Sequence, residues 1–328
     1  MTEKTVKLSR RNFFSEKARS STALRGKVRE YWLQAESYET TSVPNKRNEF
    51  LGIDVTGSTN YVALRYRAYS KNWETPLLSS KEIGENSGVP APIIRANVGD
   101  EIVVHFKNAD EHYQQPHSIR AFGVKFDPAN DGTWTANTQS AANYVKYGES
   151  FTYRWKAVPS SRGYWNYQDS SRPFDVAKPN DPKPGLQSNI GYELGLVRFI
   201  LIEDGSLPKA DREFFIVFHA YLSDIPKMMT TMDINGFAFL GNTPNFRAKA
   251  GERVRWYVMG ARQTYDHNFH VHGHRWWTGH KFEDVVTTQA DEVEMVEWVE
   301  DNPGQWLYHC HVEGHMEMSG WYFVEAKA

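Results

Sequence analysis

The sequence has one cysteine in 328 residues, which excludes an intramolecular disulfide framework and any CxxC redox or zinc-ribbon site. It has almost no net charge. Its 38 Lys and Arg stand against 40 Asp and Glu, which argues against a basic nucleic-acid footprint and an acidic tail, so no nucleic-acid partner is expected. No uncharged apolar run approaches the ~18 residues of a membrane span, so the reading is a soluble chain with no membrane partner. No long segment carries a helical repeat.

What is present is a series of short aromatic and β-branched runs, many of them alternating, broken by Gly, Pro, Asn and Asp. Residues 61–66, 101–106, 151–155, 213–218 and 293–299 are examples. Such runs predict strands, and strands at this spacing predict an all-β protein of β-sandwiches. At ~100–200 residues per domain the length suggests two domains. The Pro-, Asp-, Lys- and Ser-rich stretch 170–189 predicts a surface loop, and residues 203–208 predict the interdomain linker. The expected organisation is an N-terminal arm over 1–50, a first domain over 51–205 and a second over 206–328. Within the arm, residues 9–14 (SRRNFF) resemble a twin-arginine export motif. Charged and hydroxylated residues follow where an apolar region belongs, so a polar arm and a cytoplasmic protein are expected.

The two domains read as duplicates. Residues 94–102 resemble 246–254, 117–123 match 267–273, and 163–170 match 304–311, in the same order and at comparable spacing.

Eight of the twelve histidines lie at or after His267, and seven of these fall in two clusters. The first is His267-x-x-His270-x-His272-x-His274, and the second is His309-Cys310-His311-x3-His315. Side chains alternate faces along a strand, so His270 and His272 share one face, as do His309 and His311, while Cys310 faces the other way. Two sites back to back are therefore expected. One gathers the imidazoles of His270, His272, His309 and His311. The other has the Cys310 thiolate, with His267 and His315 available from flanking turns. A two-His, one-Cys set is the ligand field of a blue-copper centre, and an imidazole-only site suits copper, zinc or iron. Scattered structural histidines and a zinc hydrolase are the competing readings. His274 and His280 read as supporting residues rather than ligands.

The pattern His267-x-x-His270-x-His272-Gly273-His274-Arg275-Trp276, followed by Trp306-x-Tyr308-His309-Cys310-His311-x3-His315, resembles the C-terminal cupredoxin domain of a multicopper oxidase. Two domains in this length resemble the two-domain, small-laccase group. The resemblance implies two cupredoxin-like Greek-key β-sandwiches, copper as cofactor, a small-molecule substrate, O2 as oxidant and a homotrimer. It assigns His267, Cys310 and His315 to the type 1 copper. It assigns His270, His272, His309 and His311 to the second domain's share of a trinuclear cluster.

The first domain departs from that family. Arg120, Phe122, Gln168 and Ser170 stand where four more cluster histidines belong, and neither arginine nor phenylalanine can ligate a metal. A reduced mono- or dinuclear copper site is therefore expected, serving a specialised oxidation of a small organic substrate. Arg120, Gln168 and Asp169 are the candidate substrate-handling residues, with Arg120 holding a carboxylate or other anion and Asp169 carrying protons. The family's axial methionine position holds Gly320, with Met316 and Met318 nearby. A nitrite-reductase-like copper pair and a non-catalytic copper carrier are the alternatives.

Overall fold

The computed structural model describes residues 26–77, 92–174, 190–220, 232–261, 266–315 and 318–327. The twin-arginine-like stretch, Met316 and residues 175–189 lie outside them. The first unit contains β1 (Val28–Thr41), β2 (Arg47–Asn48), β3 (Ile53–Asp54), β4 (Asn60–Tyr69), β5 (Ile94–Asn97), β6 (Glu101–Ala109), β7 (Arg120–Ala121), β8 (Ser150–Lys156), β9 (Gly163–Gln168) and β10 (Val197–Glu203). The second contains β11 (Arg212–Ala220), β12 (Met232–Ile234), β13 (Phe246–Lys249), β14 (Arg253–Ala261), β15 (His267–Val271), β16 (Trp276–Trp277), β17 (Phe282–Glu283), β18 (Val285–Thr288), β19 (Val293–Val299), β20 (Gly304–Cys310) and β21 (Ser319–Glu325). Residues 204–211 connect the units.

Each unit is a sandwich of two sheets. The first pairs β4-β1-β6-β8 with β5-β10-β9-β7, and the second pairs β12-β11-β14-β19 with β13-β21-β20-β15-β18. Alternating strands such as β6 send Ile102, Val104 and Phe106 inward against Ile200, Ile202 and Tyr167 of the facing sheet. In the second unit, Phe214, Trp256 and Val258 meet Phe269, Tyr308 and Cys310.

A third apolar layer joins the two units. Phe199 and Leu201 of β10 pack on Phe215 and Val217 of β11 and on Tyr257 and Met259 of β14. The four sheets therefore form one stack with three apolar seams. This explains why residues 199–202 of β10 and 256–259 of β14 are continuous apolar runs instead of alternating ones. Both of their faces are covered. Burying each large side chain at this seam stabilises by about 1.5–3 kcal/mol relative to exposure.

One expectation is corrected here. Residues 28–50 are not part of an arm, because β1 is a central strand of the first sheet. It pairs antiparallel with β4 and parallel with β6, and Leu33 and Ala35 lie in the core. Its pattern is broken by buried polar neighbours such as Gln34, which masks the strand in sequence.

The duplication extends to individual hydrogen bonds. Trp165 Nε1 donates to the Ser161 carbonyl and Trp306 Nε1 to the Asn302 carbonyl, both at 2.8 Å. Tyr167 donates to the Pro92 carbonyl at 2.7 Å, and Tyr308 to the Pro244 carbonyl at 2.6 Å. Gly123 and Gly273 both take positive φ, at 69° and 72°. A Cβ at either glycine would fall 2.1 Å or 2.9 Å from the neighbouring tryptophan ring, so the close approach requires glycine at both.

Candidate metal centre

The site is built on two paired strands of the last sheet and the segments that follow them. β15 pairs antiparallel with β20 so that Phe269 faces Cys310, His270 faces His309 and Val271 faces Tyr308. That register fixes the inner and outer sets. Cys310, Phe269 and Tyr308 point into the sandwich and are fully buried. His270 and His309 stand on the outer face beside His272 and His311. Rings of neighbouring members lie with centroids 5.1–5.6 Å apart.

The inner set is compact. His267 opens β15, and His315 closes a single 3-10 turn after β20. The Nδ1 atoms of His267 and His315 lie 3.3 and 3.6 Å from Cys310 Sγ, and all three residues are buried. The donor set fits copper: one soft sulfur and two imidazole nitrogens shielded from water. Desolvation pushes the His267 pKa down to about 3, with help from His315 and His219, so the ring stays neutral and keeps a lone pair for a metal.

In the outer set, ligand atoms of His270, His272 and His309 lie within 4.8 Å of one another. The Nε2 atoms of His272 and His309 face each other at 3.0 Å. His270 donates Nδ1–H to the Asp284 carbonyl at 2.7 Å, and His309 donates Nδ1–H to the Cys310 carbonyl at 2.9 Å. These bonds fix the tautomers that leave both Nε2 lone pairs directed at the cluster. Burial, followed by the neighbouring imidazoles, lowers the pKa of His309 to about 4 and also lowers that of His272. His311 is exposed at the rim of the group.

His274 is a supporting residue, as its position suggested. It donates Nδ1–H to the His272 carbonyl at 2.7 Å, while Nε2 meets Glu300 at 2.8 Å. Glu300 is buried and also accepts from Trp298 Nε1 and the Tyr322 hydroxyl. Burial alone would raise its pKa, but those three donors hold it below the ordinary value. Sequence reasoning missed Glu300, because no spacing signal links it to a histidine 26 residues away.

The axial position is also clarified. Gly320 pairs with Tyr308, and a Cβ there would lie 2.2 Å from the Tyr308 ring, so no side chain fits at residue 320. Met318 is buried in the same apolar cluster as Cys310, and its carbonyl accepts the Cys310 N–H at 3.3 Å.

In the first unit the corresponding positions diverge. His117, Asp169 and Phe174 stand where His267, Cys310 and His315 stand in the second. Ser118 N–H donates to Asp169 Oδ1 at 3.0 Å, just as Asn268 N–H points to Cys310 Sγ at 3.5 Å. Asp169 is not a pocket residue. It faces inward at 1% exposure, and His117, Ser118 and Ser171 occupy its carboxylate, so the proton-carrying role expected of it has no path to solvent. Arg120 and Gln168 do come together. They are directly opposed across β7 and β9, in the register that His270 and His309 share across β15 and β20.

Two family models, each described as multicopper oxidase, match residues 69–176 and 218–325. Ceruloplasmin of Mus musculus is 28% identical over 287 residues, covering 79% of this chain and 25% of the relative. Hephaestin of Rattus norvegicus is 28% identical over 263 residues, covering 71% of this chain and 21% of the relative. The chain thus spans about a quarter of the length of these curated relatives. Among solved structures, a multicopper oxidase covers 91% of this chain and 89% of its own with a TM-score of 0.63 at 20% identity. A copper nitrite reductase from Nitrosomonas europaea covers 91% and 93% with a TM-score of 0.59 at 18% identity. These structures share its fold, two cupredoxin-like sandwiches. With both halves matched by the same family and the copper-type donors assembled in the second, the chain belongs to the multicopper oxidase family.

Proposed function

We propose that the protein is a copper-dependent oxidoreductase that oxidises a small organic substrate with O2 as acceptor, acting as a homotrimer. The observation that carries this reading is the back-to-back placement of two donor sets on β20, Cys310 inward and His309 outward on adjacent residues. Copper, when bound, supplies one-electron redox chemistry at two linked centres. His267, Cys310 and His315 would hold the electron-entry metal, and their burial keeps water from it. The Cys310 backbone, with the His309 Nδ1–H bond to the Cys310 carbonyl, forms a covalent and hydrogen-bonded path to the outer imidazoles.

His270, His272, His309 and His311 would hold one or two further coppers. Arg120, Phe122, Gln168 and Ser170 add no imidazole from the first unit, which supports a specialised oxidation over laccase chemistry on a full trinuclear cluster. A nitrite-reductase-like pair of centres is the second reading, favoured by the compact three-imidazole set of His270, His272 and His309.

Metal analysis of the purified protein with paramagnetic resonance tests this. One blue copper and one or two others per chain, with activity lost in His309→Ala, are expected. Three others per chain would overturn the reduced cluster, a lone blue copper would favour a carrier, and zinc without a thiolate-to-copper band would overturn the assignment.

A further inference from the structure

The outer face of the first unit carries an arrangement that metal binding does not explain. Arg120 and Gln168 occupy the paired positions that hold His270 and His309 in the second unit. The Arg120 guanidinium lies 4.5 Å from the centroid of the Phe122 ring, a cation–π contact that restricts its positions. Several other arginines are neutralised by carboxylates, Arg65 by Glu36, Arg95 by Glu213 and Arg255 by Glu297. Among the described residues, Arg120 has no carboxylate within ion-pair distance. Neither has Arg172, half-buried two residues beyond Ser170.

The same patch holds unmet hydrogen-bonding groups. Gln168 is 8% exposed, and its Oε1 is buried without a partner. Trp134 Nε1 is likewise buried without a partner, and its backbone N–H donates to the Ser170 carbonyl at 2.9 Å, which places it beside this strand end. A side-chain amide that no protein group orients can present either oxygen or NH2 to a ligand. The patch thus combines a guanidinium stacked on Phe122 with neutral groups short of partners.

We propose that Arg120, Gln168 and Trp134 form a recognition site for the carboxylate of a small organic acid, and that this acid is the substrate class of the enzyme. The planar guanidinium fork matches a carboxylate in a bidentate pair, and the contact with Phe122 lowers the entropy lost when it forms. Trp134 Nε1 is a donor that no protein group accepts, and Gln168, whose Oε1 has no partner, would turn its amide to present NH2 to the carboxylate. The proposal rests on the oxidoreductase reading only for the acid's role as substrate; the binding site itself does not.

Two measurements on the copper-loaded, full-length protein test the two parts separately. In calorimetry, benzoate is expected to bind at least about tenfold more tightly than benzamide, and Arg120→Ala to lose at least about tenfold in benzoate affinity. Arg120→Lys, which keeps the charge but not the fork, should fall between them, and the same ranking should hold for metal-free protein. Gln168→Ala serves as a second variant if Arg120→Ala fails to fold. Equal affinity for benzoate and benzamide, tighter binding of inorganic phosphate, or an affinity that needs copper but not Arg120 would overturn the site. In turnover, the ratio of kcat/KM for 2,5-dihydroxybenzoate to that for hydroquinone should drop at least about tenfold in Arg120→Ala. An unchanged ratio overturns the substrate role. If neither phenol is oxidised while benzoate still requires Arg120, the oxidoreductase reading falls and the binding site stands.

Discussion

His117 and Asp169 meet at 2.7 Å with neither side chain exposed, in the place that His267 and Cys310 occupy in the second unit. On its other nitrogen His117 meets Asp110 at 3.0 Å. A buried imidazolium between two carboxylates thus fills the position of a metal centre, and it substitutes for the crosslink a metal would provide there.

This triad makes stability depend on pH at both ends. Burial alone would lower the His117 pKa, but Asp169 and then Asp110 raise it from 6.5 to about 9. Its stabilisation is complete below the unfolded value and is lost as pH rises through about 9. Asp110 is held below its ordinary 3.8, because His117 outweighs the effect of burial, so its contribution is lost as pH falls below that value. Asp169→Asn should cost about 3–5 kcal/mol near neutral pH and flatten the alkaline limb. Urea denaturation from about pH 3 to about pH 10 checks both limbs. Parallel pH curves for variant and parent would show that the triad carries no stability.

Removing the thiolate should separate the two centres. Cys310→Ser is expected to abolish the visible thiolate-to-copper band while the His270, His272 and His309 set still takes up metal, since none of those three uses the sulfur. Absorption spectra and copper counts on the same sample decide it. Loss of all copper would mean that the outer set does not bind independently.

Residues 318 and 320 should respond differently. Gly320→Ala forces a methyl within 2.2 Å of the Tyr308 ring and should destabilise by about 1–3 kcal/mol. Met318→Leu conserves volume in the core and should cost under about 1.5 kcal/mol, while shifting the reduction potential of the blue centre. Thermal unfolding and potentiometry separate these effects. An unshifted potential in Met318→Leu would place the thioether outside the copper's influence.

Glu300 ties His274, Trp298 and Tyr322 together behind the outer histidines. Glu300→Gln cannot accept all three bonds as an anion, and it should lower metal affinity at the outer set by about tenfold or more. Competition with a chelator measures it, with the blue band of Cys310 as the internal standard. Equal loss at both centres would indicate general unfolding instead.

The candidate site was largely legible in the sequence because its logic is short-range. Period-two alternation is enough to send His309 and His311 one way and Cys310 the other, and the structure has them so. The strand content of residues 61–66, 101–106 and 293–299 followed from the same alternation. Less legible was β1, whose core residues Leu33 and Ala35 are interspersed with polar neighbours, so it read as an arm. Asp169 was misread for a different reason. It follows Gln168 by one residue, and a single step along a strand exchanges the outer face for the core.

The sequence by itself singled out the residues that could hold a metal and the duplication of the two halves, since spacing and composition are properties of the chain. Only the tertiary structure decided what each half does with those positions. The β15–β20 register brings His267 to Cys310 across 43 residues, a long-range pairing that no local pattern encodes. Stacking four sheets buried both faces of β10 and β14 and joined the two units through one apolar seam. The same pairing in the first unit placed Arg120 opposite Gln168 and closed Asp169 around His117. The lone cysteine therefore has a counterpart in the first unit, an aspartate, and its charge, together with that of Asp110, holds His117 protonated against the opposing effect of burial.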